Sequence, residues 1–282
     1  MGTKALTTWT LSGFADEISP DLDEQCRVLA DLGIRFLEFR SAWDTNVLDL
    51  DDAQLETVRT RLDRAGLRVS SVGSPIGKIS VRDDFDAHLV RMRRALHVAE
   101  VLAAPYIRLF SFYIPKGDDP AGHRDEVLRR MSALVAQAEG HDVVLLHENE
   151  KEIYGDVPQR CLDLVESIGS PRLRLAWDPA NFVQVGVRPH TEGFAMLRPH
   201  VEYLQVKDAR LADGGVVPAG QGDGEVEETV RALAADGYSG FASMEPHLAT
   251  AGGFGGFSGA ELFGTATKAF TAILDRVGVQ YQ

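Results

Sequence analysis

Short apolar runs alternate along the chain with longer segments of helical periodicity. The apolar runs predict strands and the 3.6-residue periodicity predicts helices. The predicted strands are Trp9–Ala15, Phe36–Ser41, Arg68–Gly73, Tyr106–Phe112, Val143–Asn149, Leu173–Asp178, Val201–Lys207 and Gly240–Glu245. The predicted helices are Leu22–Leu32, Asp52–Ala65, Phe85–Leu102, Arg124–Ala138, Pro158–Ile168, Thr191–Leu197, Val226–Asp236 and Gly259–Val277. This alternation predicts an α/β fold, a (β/α)8 TIM barrel that residues 1–282 form as a single domain.

Turn and cap residues agree with these boundaries. Ser19-Pro20 is typical of a cap followed by a first-turn proline, and Gly33, Gly66, Gly140 and Gly237 stand where helices should end. A doubly wound open sheet is the competing architecture. It would normally carry a glycine-rich phosphate turn after an early strand, and the segment 13–17 is not one. The pattern therefore favours the barrel.

Acidic and polar residues end the later strands. Side chains two positions apart share a strand face, so Glu148, Asp178, Gln205 and Glu245 are expected to reach one rim of the barrel. One strand-end acid alone would be a surface charge, but three in register would repel each other unless a cation joins them. Oxygen ligands favour Mn²⁺ or Mg²⁺, with Co²⁺ or Zn²⁺ as further options. The sequence thus predicts a divalent-metal site on the face where barrel active sites form.

The composition narrows the class of partner. A formal net charge of −13 and the lack of a Lys/Arg run argue against a nucleic-acid partner. The chain has 44% hydrophobic and 25% charged residues, as in an ordinary globular enzyme. We therefore expect a small-molecule partner.

The cysteine content and the apolar runs suggest a compartment. Cys26 and Cys161 each stand within a helical pattern, which suits buried thiols in a reducing cytoplasm. No apolar stretch has the length of a membrane span, and residues 1–8 lack the apolar region of a signal peptide. We expect a cytoplasmic protein with no membrane partner, and the pattern leaves a homo-oligomer open.

Several short motifs resemble one known superfamily. The motifs are Leu146-His147-Glu148-Asn149, Trp177-Asp178-Pro179-Ala180-Asn181, Val206-Lys207-Asp208-Ala209 and Met244-Glu245-Pro246-His247. Together with the segments 13–18 and 36–40, they resemble the xylose-isomerase-like barrels of sugar phosphate isomerases and epimerases. The resemblance covers nearly the whole chain.

The resemblance implies a ligand set for the metal. Ketose epimerases of this superfamily hold one metal through Glu, Asp, His and Glu, which correspond to Glu148, Asp178, Gln205 and Glu245. Gln205 departs from the family histidine and shifts the preference away from Zn²⁺. Asn181 is a second departure, at a position where these epimerases often place a substrate-contacting histidine.

The resemblance also implies a mechanism. The metal would chelate a carbonyl and a hydroxyl of an open-chain sugar and stabilise the enediolate. Glu148 and Glu245 would form the acid/base pair, one removing a proton and the other returning it. Lys207, Asn181, His247 and Glu17 are the candidate substrate contacts. Lys207 would either stabilise the oxyanion or form a salt bridge, and both readings stay open.

Three further features have two interpretations each. The loop Gly252–Gly259 would hold a phosphate at a helix N-terminus or act as a flexible lid. The turn Gly220–Gly224 would approach the substrate with its backbone or serve only as a turn. Glu38 and Arg40, on the inward face of the second strand, would either belong to the site or form an internal ion pair, and the ion pair is favoured for Arg40.

The expected function is a metal-dependent isomerase or epimerase of a sugar or sugar phosphate. One alternative is a dehydratase of an inosose-like keto-polyol, which would use a similar metal and similar acids. Another is a catalytically decayed carbohydrate-binding barrel, suggested by Gln205 and Asn181. An abasic-site endonuclease would need more metal ligands and a basic groove, and the chain offers neither.

Overall fold

The computed structural model describes residues 7–249 and 257–282, and within them eight parallel strands form the wall of a TIM barrel. The strands are β1 (Thr8–Gly13), β2 (Phe36–Phe39), β3 (Arg68–Val72), β4 (Tyr106–Leu109), β5 (Val144–Glu148), β6 (Leu173–Trp177), β7 (Val201–Val206) and β8 (Phe241–Met244). The ladder runs in order from β2 to β8 and then to β1, and β1 also lies against β2. A short strand, β9 (Gln280–Tyr281), pairs in parallel with the start of β1. The predicted fold class is confirmed.

Helices follow the strands, and most of them lie where the periodicity predicts. They are α1 (Leu22–Asp31), α2 (Asp52–Ala65), α3 (Phe85–Val101), α4 (Arg124–Gln137), α5 (Pro158–Ile168), α6 (Pro179–Gln184), α7 (Val226–Ala235) and α8 (Gly259–Val277). Capping defines their ends: Asp51 and Gln54 form a capping box at α2, and Gly66 ends that helix in the left-handed conformation. The predicted helix at 191–197 corresponds to two continuous helical turns, Pro189–Phe194 and Ala195–Leu197.

Helix α6 was not predicted. Its six residues begin at Pro179, and Oδ1 of Asp178 caps it by accepting from the Asn181 backbone N–H at 3.0 Å. Six residues are too few for a clear 3.6-residue period, which is why the pattern analysis missed this helix. The cap fixes one oxygen of Asp178 at the rim of the barrel.

The interior of the barrel confirms the predicted strand faces. Leu146, Ala176 and Tyr203 form a buried cluster on the barrel axis. Three partly buried side chains pack against this cluster, namely Tyr106, Val144 and Phe241. Since side chains alternate along a strand, the residues two and four positions further on also face inward, at the carboxyl ends of the strands.

The turn Gly220–Gly224 does not face a substrate. The backbone N–H groups of Gly220, Gly222 and Gly224 all donate to the buried carboxylate of Asp208, at 2.8, 3.0 and 2.8 Å. A Cβ at Gly222 or Gly224 would come within 2.5 or 2.6 Å of Asp208 Oδ1, so glycine is required for this approach. The expectation that these amides reach a substrate is wrong, because Asp208 already occupies them.

The predicted loop Gly252–Gly259 lies outside the described residues as far as residue 256. In the described part of the chain, none of the helices combines the length and the apolar character that a bilayer crossing requires.

Candidate active site

Three buried carboxylates converge at the carboxyl ends of the strands. Glu148 ends β5, while Asp178 and Glu245 directly follow β6 and β8. Each offers an oxygen within 4.8 Å of the others, a spacing that could hold a metal ion. The structure thus brings together the three acids that the strand register predicts to meet.

The side chain of Lys207 lies among these carboxylates. Its Nζ is 2.7 Å from Asp178 Oδ2 and 2.9 Å from Glu245 Oε2. Of the two interpretations of this lysine, the salt bridge is the one that the structure shows. Lys207 also lines the cavity above the site, so a salt bridge and a contact with a ligand are compatible.

Two arginines that the sequence pattern did not assign to the site pair with these acids. Arg108 Nη1 lies 3.1 Å from Glu148 Oε2, and Arg40 Nη1 lies 3.0 Å from Glu245 Oε1. The same alternation that places Tyr106 inside the barrel also places Arg108 there, so a signal was present. Both guanidinium groups stack on the ring of Phe14, at 4.9 and 4.6 Å from its centroid.

Arg40 forms internal ion pairs as expected, but Glu38 is not its partner. The Arg40 Nε lies 2.7 Å from Asp16 Oδ2, and its Nη1 reaches Glu245, so both partners come from other strands and loops. Glu38 instead accepts from Gln205 Nε2 at 3.5 Å. The guanidinium is long enough to pass beyond Glu38 and reach the rim, whereas the carboxylate stays deeper in the barrel.

Gln205 contacts Glu38 rather than the three carboxylates. Its side-chain oxygen, Oε1, is buried and has no hydrogen-bond partner among the described residues. The expected role of Gln205 as a fourth metal ligand remains a prediction. Glu38 is fully buried, and burial raises its pKa to about 8 despite the opposing charge of Arg108.

The raised pKa of Glu38 predicts a pH dependence of stability. The unfolded chain releases this proton near pH 4.5, while the folded protein retains it up to about pH 8. The free energy of unfolding should therefore fall as the pH rises between these values. Glu38→Gln should remove this contribution. The free energy of unfolding of the variant, relative to that of the wild type, should therefore be higher at pH 8 than at pH 5 by the order of a few kcal/mol. Urea unfolding at both pH values measures the difference.

Glu56→Gln is the matched control, because Glu56 is an exposed glutamate on α2 whose pKa is lowered by a hydrogen bond from Arg59. It should show no stabilisation at pH 8 relative to pH 5. An equal response of the two variants would contradict the assignment to Glu38.

A pair of asparagines holds the acids in place. Asn181 Nδ2 donates to Glu148 Oε1 at 3.1 Å and to the carbonyl of Asn149 at 2.9 Å. Asn149 in turn binds the backbone of Asp178, accepting from its N–H at 3.1 Å and donating to its carbonyl at 2.8 Å. Asn181 is buried and orients Glu148, so its expected contact with substrate remains a prediction.

His247 and Glu17 form a second group beside Glu245. His247 Nε2 lies 3.2 Å from Glu17 Oε1 and 3.4 Å from Glu245 Oε1. Glu17 is fully buried and accepts from the His247 backbone N–H and the Ser258 hydroxyl, at 2.8 and 2.9 Å. Glu17 thus anchors the loop after β8, while His247, with 27% of its side chain exposed, is the member within reach of a ligand.

The surroundings of the two glutamates of the expected acid/base pair shift their pKa values in opposite directions. Burial raises the pKa of Glu148 above its usual value, and the nearby Glu245 charge adds to this effect. Burial also disfavours ionised Glu245, but Lys207 and His247 outweigh it and hold the pKa of Glu245 well below its usual range. Two carboxyls with opposite pKa shifts in one site are typical of acid–base chemistry.

A narrow cavity opens over the site, with a volume of about 80 Å³. Its walls combine acidic residues, cationic residues, one histidine and loop residues. They are Arg40, Asn46, Gly73, Pro75, Lys78, Arg108, Glu148, Glu150, Lys207, Glu245 and His247. Glu148, Glu245, Lys207 and His247 can therefore touch a ligand in this cavity, and charged groups of both signs suit a polar, hydroxyl-rich molecule.

The sequence matches one protein family over most of its length. Residues 26–263 match the family model described as xylose isomerase-like TIM barrel. A search of curated proteins finds no significant match.

Solved structures share this fold at low sequence identity. The probable 3-DHS dehydratase AsbF, involved in petrobactin synthesis in Bacillus anthracis, has a TM-score of 0.74 and 18% identity over 94% of this chain and 98% of its own. A xylose isomerase-like TIM barrel protein from Mycobacterium smegmatis in complex with magnesium has a TM-score of 0.68 and 19% identity over 98% of both chains. D-allulose 3-epimerase from Methylomonas sp. in complex with D-allulose has a TM-score of 0.71 and 14% identity over 96% of this chain and 99% of its own.

Proposed function

Because the chain belongs to the xylose isomerase-like TIM barrel family, we propose that it is an isomerase or epimerase of a sugar or sugar phosphate. The observation that carries the proposal is the pair Glu148 and Glu245, which meet at one cavity and have pKa values shifted in opposite directions. A D-allulose 3-epimerase and a probable 3-DHS dehydratase share the fold.

The proposed reaction begins with proton removal beside a carbonyl. Glu148 accepts a proton from the carbon next to the carbonyl, and the C–H electron pair forms the enediolate. Lys207 and Arg108 stand beside Glu148 and Glu245 and stabilise the negative charge that develops on the carbonyl oxygen. The raised pKa of Glu148 makes it a stronger base than an ordinary carboxylate.

The second half of the reaction returns a proton. Glu245, which its lowered pKa keeps ionised at rest, relays this proton from solvent to the opposite face of the enediolate, or to the neighbouring carbon. His247 Nε2, 3.4 Å from Glu245 Oε1, is positioned to resupply that carboxyl from solvent. Return to the opposite face of the same carbon gives an epimerase, and return to the neighbouring carbon gives an isomerase.

The expected metal ion does not fit the site while Lys207 occupies it. The three acids have the spacing and the hard oxygen atoms that Mn²⁺ or Mg²⁺ requires. However, oxygens of both Asp178 and Glu245 already contact the Lys207 ammonium, and Glu148 contacts Arg108. The proposed steps therefore depend on the side chains of the chain itself.

Solvent exchange tests the proposal directly. The purified protein is incubated in D₂O with a panel of free and phosphorylated ketoses, and each sugar is examined by NMR and mass spectrometry. We expect deuterium at the carbon beside the carbonyl, together with formation of an epimer or an aldose isomer. Comparing free with phosphorylated sugars identifies the substrate class.

Two other outcomes would overturn the proposal. Loss of water with appearance of a conjugated, ultraviolet-absorbing product from a keto-polyol would identify a dehydratase, the reaction named for one structural neighbour. Saturable sugar binding without exchange would identify a carbohydrate-binding barrel.

A further inference from the structure

Lys207 stands where the acids of the site converge. It directly follows β7, and only 4% of its side chain is exposed. Its Nζ lies 2.7 Å from Asp178 and 2.9 Å from Glu245, two of the three acids whose spacing could hold a metal ion. The ammonium thus contacts the same oxygens that a metal ion would use.

Each of the three acids already has a cationic partner. Glu148 has Arg108 at 3.1 Å, Asp178 has Lys207 at 2.7 Å, and Glu245 has Arg40 at 3.0 Å in addition to Lys207. In the described part of the chain, each acid thus has a cationic partner at hydrogen-bond distance. The repulsion that would otherwise call for a metal is removed by the side chains themselves.

A metal ion and the ammonium would compete for one position. A divalent ion binds carboxylate oxygens at roughly 2.0–2.6 Å. Lys207 Nζ is already within 2.9 Å of the Asp178 and Glu245 oxygens, so an ion on those oxygens would lie next to a buried like charge. Because like charges repel strongly inside a protein, binding of one requires displacement of the other.

The backbone keeps Lys207 in place. The next residue, Asp208, is fully buried and its carboxylate accepts from the N–H groups of Ala209, Gly220, Gly222 and Gly224. These bonds fix the chain directly after Lys207. The Lys207 side chain is therefore anchored beside the acids.

We infer that the Lys207 ammonium is the resident cation of this site and takes the place of a divalent metal. The inference deepens the proposed function, on which it rests for the catalytic role of the acids, by naming the group that supplies the central positive charge. Metal binding is measured without substrate. A failure of this inference is therefore distinguishable from a failure of the proposed reaction.

The test compares metal binding by the wild type and by Lys207→Met. The wild type, purified without chelator, should hold substoichiometric metal by elemental analysis, and EDTA should leave its melting temperature unchanged. Lys207→Met leaves the acids short of one cation, so it should bind Mn²⁺ at least about tenfold more tightly by calorimetry. Added Mn²⁺ should also raise the melting temperature of this variant more than that of the wild type.

Two further variants serve as controls. Lys78→Met removes the same charge from the wall of the cavity, where Lys78 pairs with Glu150 at 3.3 Å, and should bind Mn²⁺ about as weakly as the wild type. Lys207→Arg retains the positive charge and should also bind Mn²⁺ weakly. If Lys207→Met does not fold, the metal content of the wild type and the Mn²⁺ affinity of Lys207→Arg still decide the question.

A stoichiometric metal in the wild type, with a lower melting temperature after EDTA, would overturn the inference. An equal gain in Mn²⁺ affinity for Lys207→Met and Lys78→Met would overturn it as well, because the gain would then follow from removing any positive charge near the cavity.

Discussion

Glu148→Gln is expected to lower both deuterium incorporation and product formation by about 10²- to 10⁴-fold, the usual contribution of a general acid or base. Glutamine keeps the shape of the side chain and can still accept a hydrogen bond from Arg108 or Asn181, but it cannot take up a proton. The loss should therefore appear in turnover, while circular dichroism and the melting temperature report an intact fold. The measurement uses whichever ketose exchanges with the wild type.

Glu245→Gln separates the two halves of the reaction. If Glu148 removes the proton and Glu245 returns one, this variant should still exchange the substrate proton with solvent while product formation falls by a similar factor. Glu150→Gln is the control, because Glu150 lines the same cavity but pairs with Lys78 outside the group of three acids. Unchanged turnover in Glu148→Gln or in Glu245→Gln would contradict a two-base mechanism.

Asp208→Ala is expected to lower the free energy of unfolding by about 3–5 kcal/mol, because backbone donors lose their buried acceptor. Its carboxylate accepts from Ala209, Gly220, Gly222 and Gly224 at 2.8 to 3.0 Å. For a domain of this size, the corresponding fall in melting temperature is of the order of 10 °C. Urea unfolding and calorimetry measure the two quantities.

Asp213→Ala is the matched control for this prediction. Asp213 lies in the same connecting segment after β7, but its side chain is 55% exposed and pairs with Arg210 on the surface. This control should change stability by less than about 0.5 kcal/mol. A similarly small effect of Asp208→Ala would show that water replaces the carboxylate and that the turn does not depend on it.

Much of the fold could be predicted because the relevant signals are local. The apolar run that begins Val144–Glu148 and the 3.6-residue period in α3 are both contained in short windows of sequence. Helix α6 was missed because its six residues are held by the Asp178 cap and by packing rather than by a periodic pattern. The two interpretations of the turn Gly220–Gly224 could not be separated, because glycines indicate close approach without identifying what approaches.

The candidate site could be predicted only in part. Strand register was enough to bring Glu148, Asp178 and Glu245 to one rim, since parallel strands of a barrel end on the same face. It could not assign partners to the charges. Arg40 directly follows β2 and pairs with Glu245, which is 205 residues away in the sequence. Glu38 is much nearer in sequence but is not its partner.

The sequence by itself determined the barrel, the inward faces of the strands and the meeting of three acids. These follow from side-chain periodicity along single strands and from the order of the elements. Only the tertiary structure decided that Lys207 and two arginines neutralise those acids, and that Asp208 occupies the glycine-rich turn. The reason is physical: ion pairing depends on distances of about 3 Å between residues far apart in sequence, and closure of the barrel sets those distances.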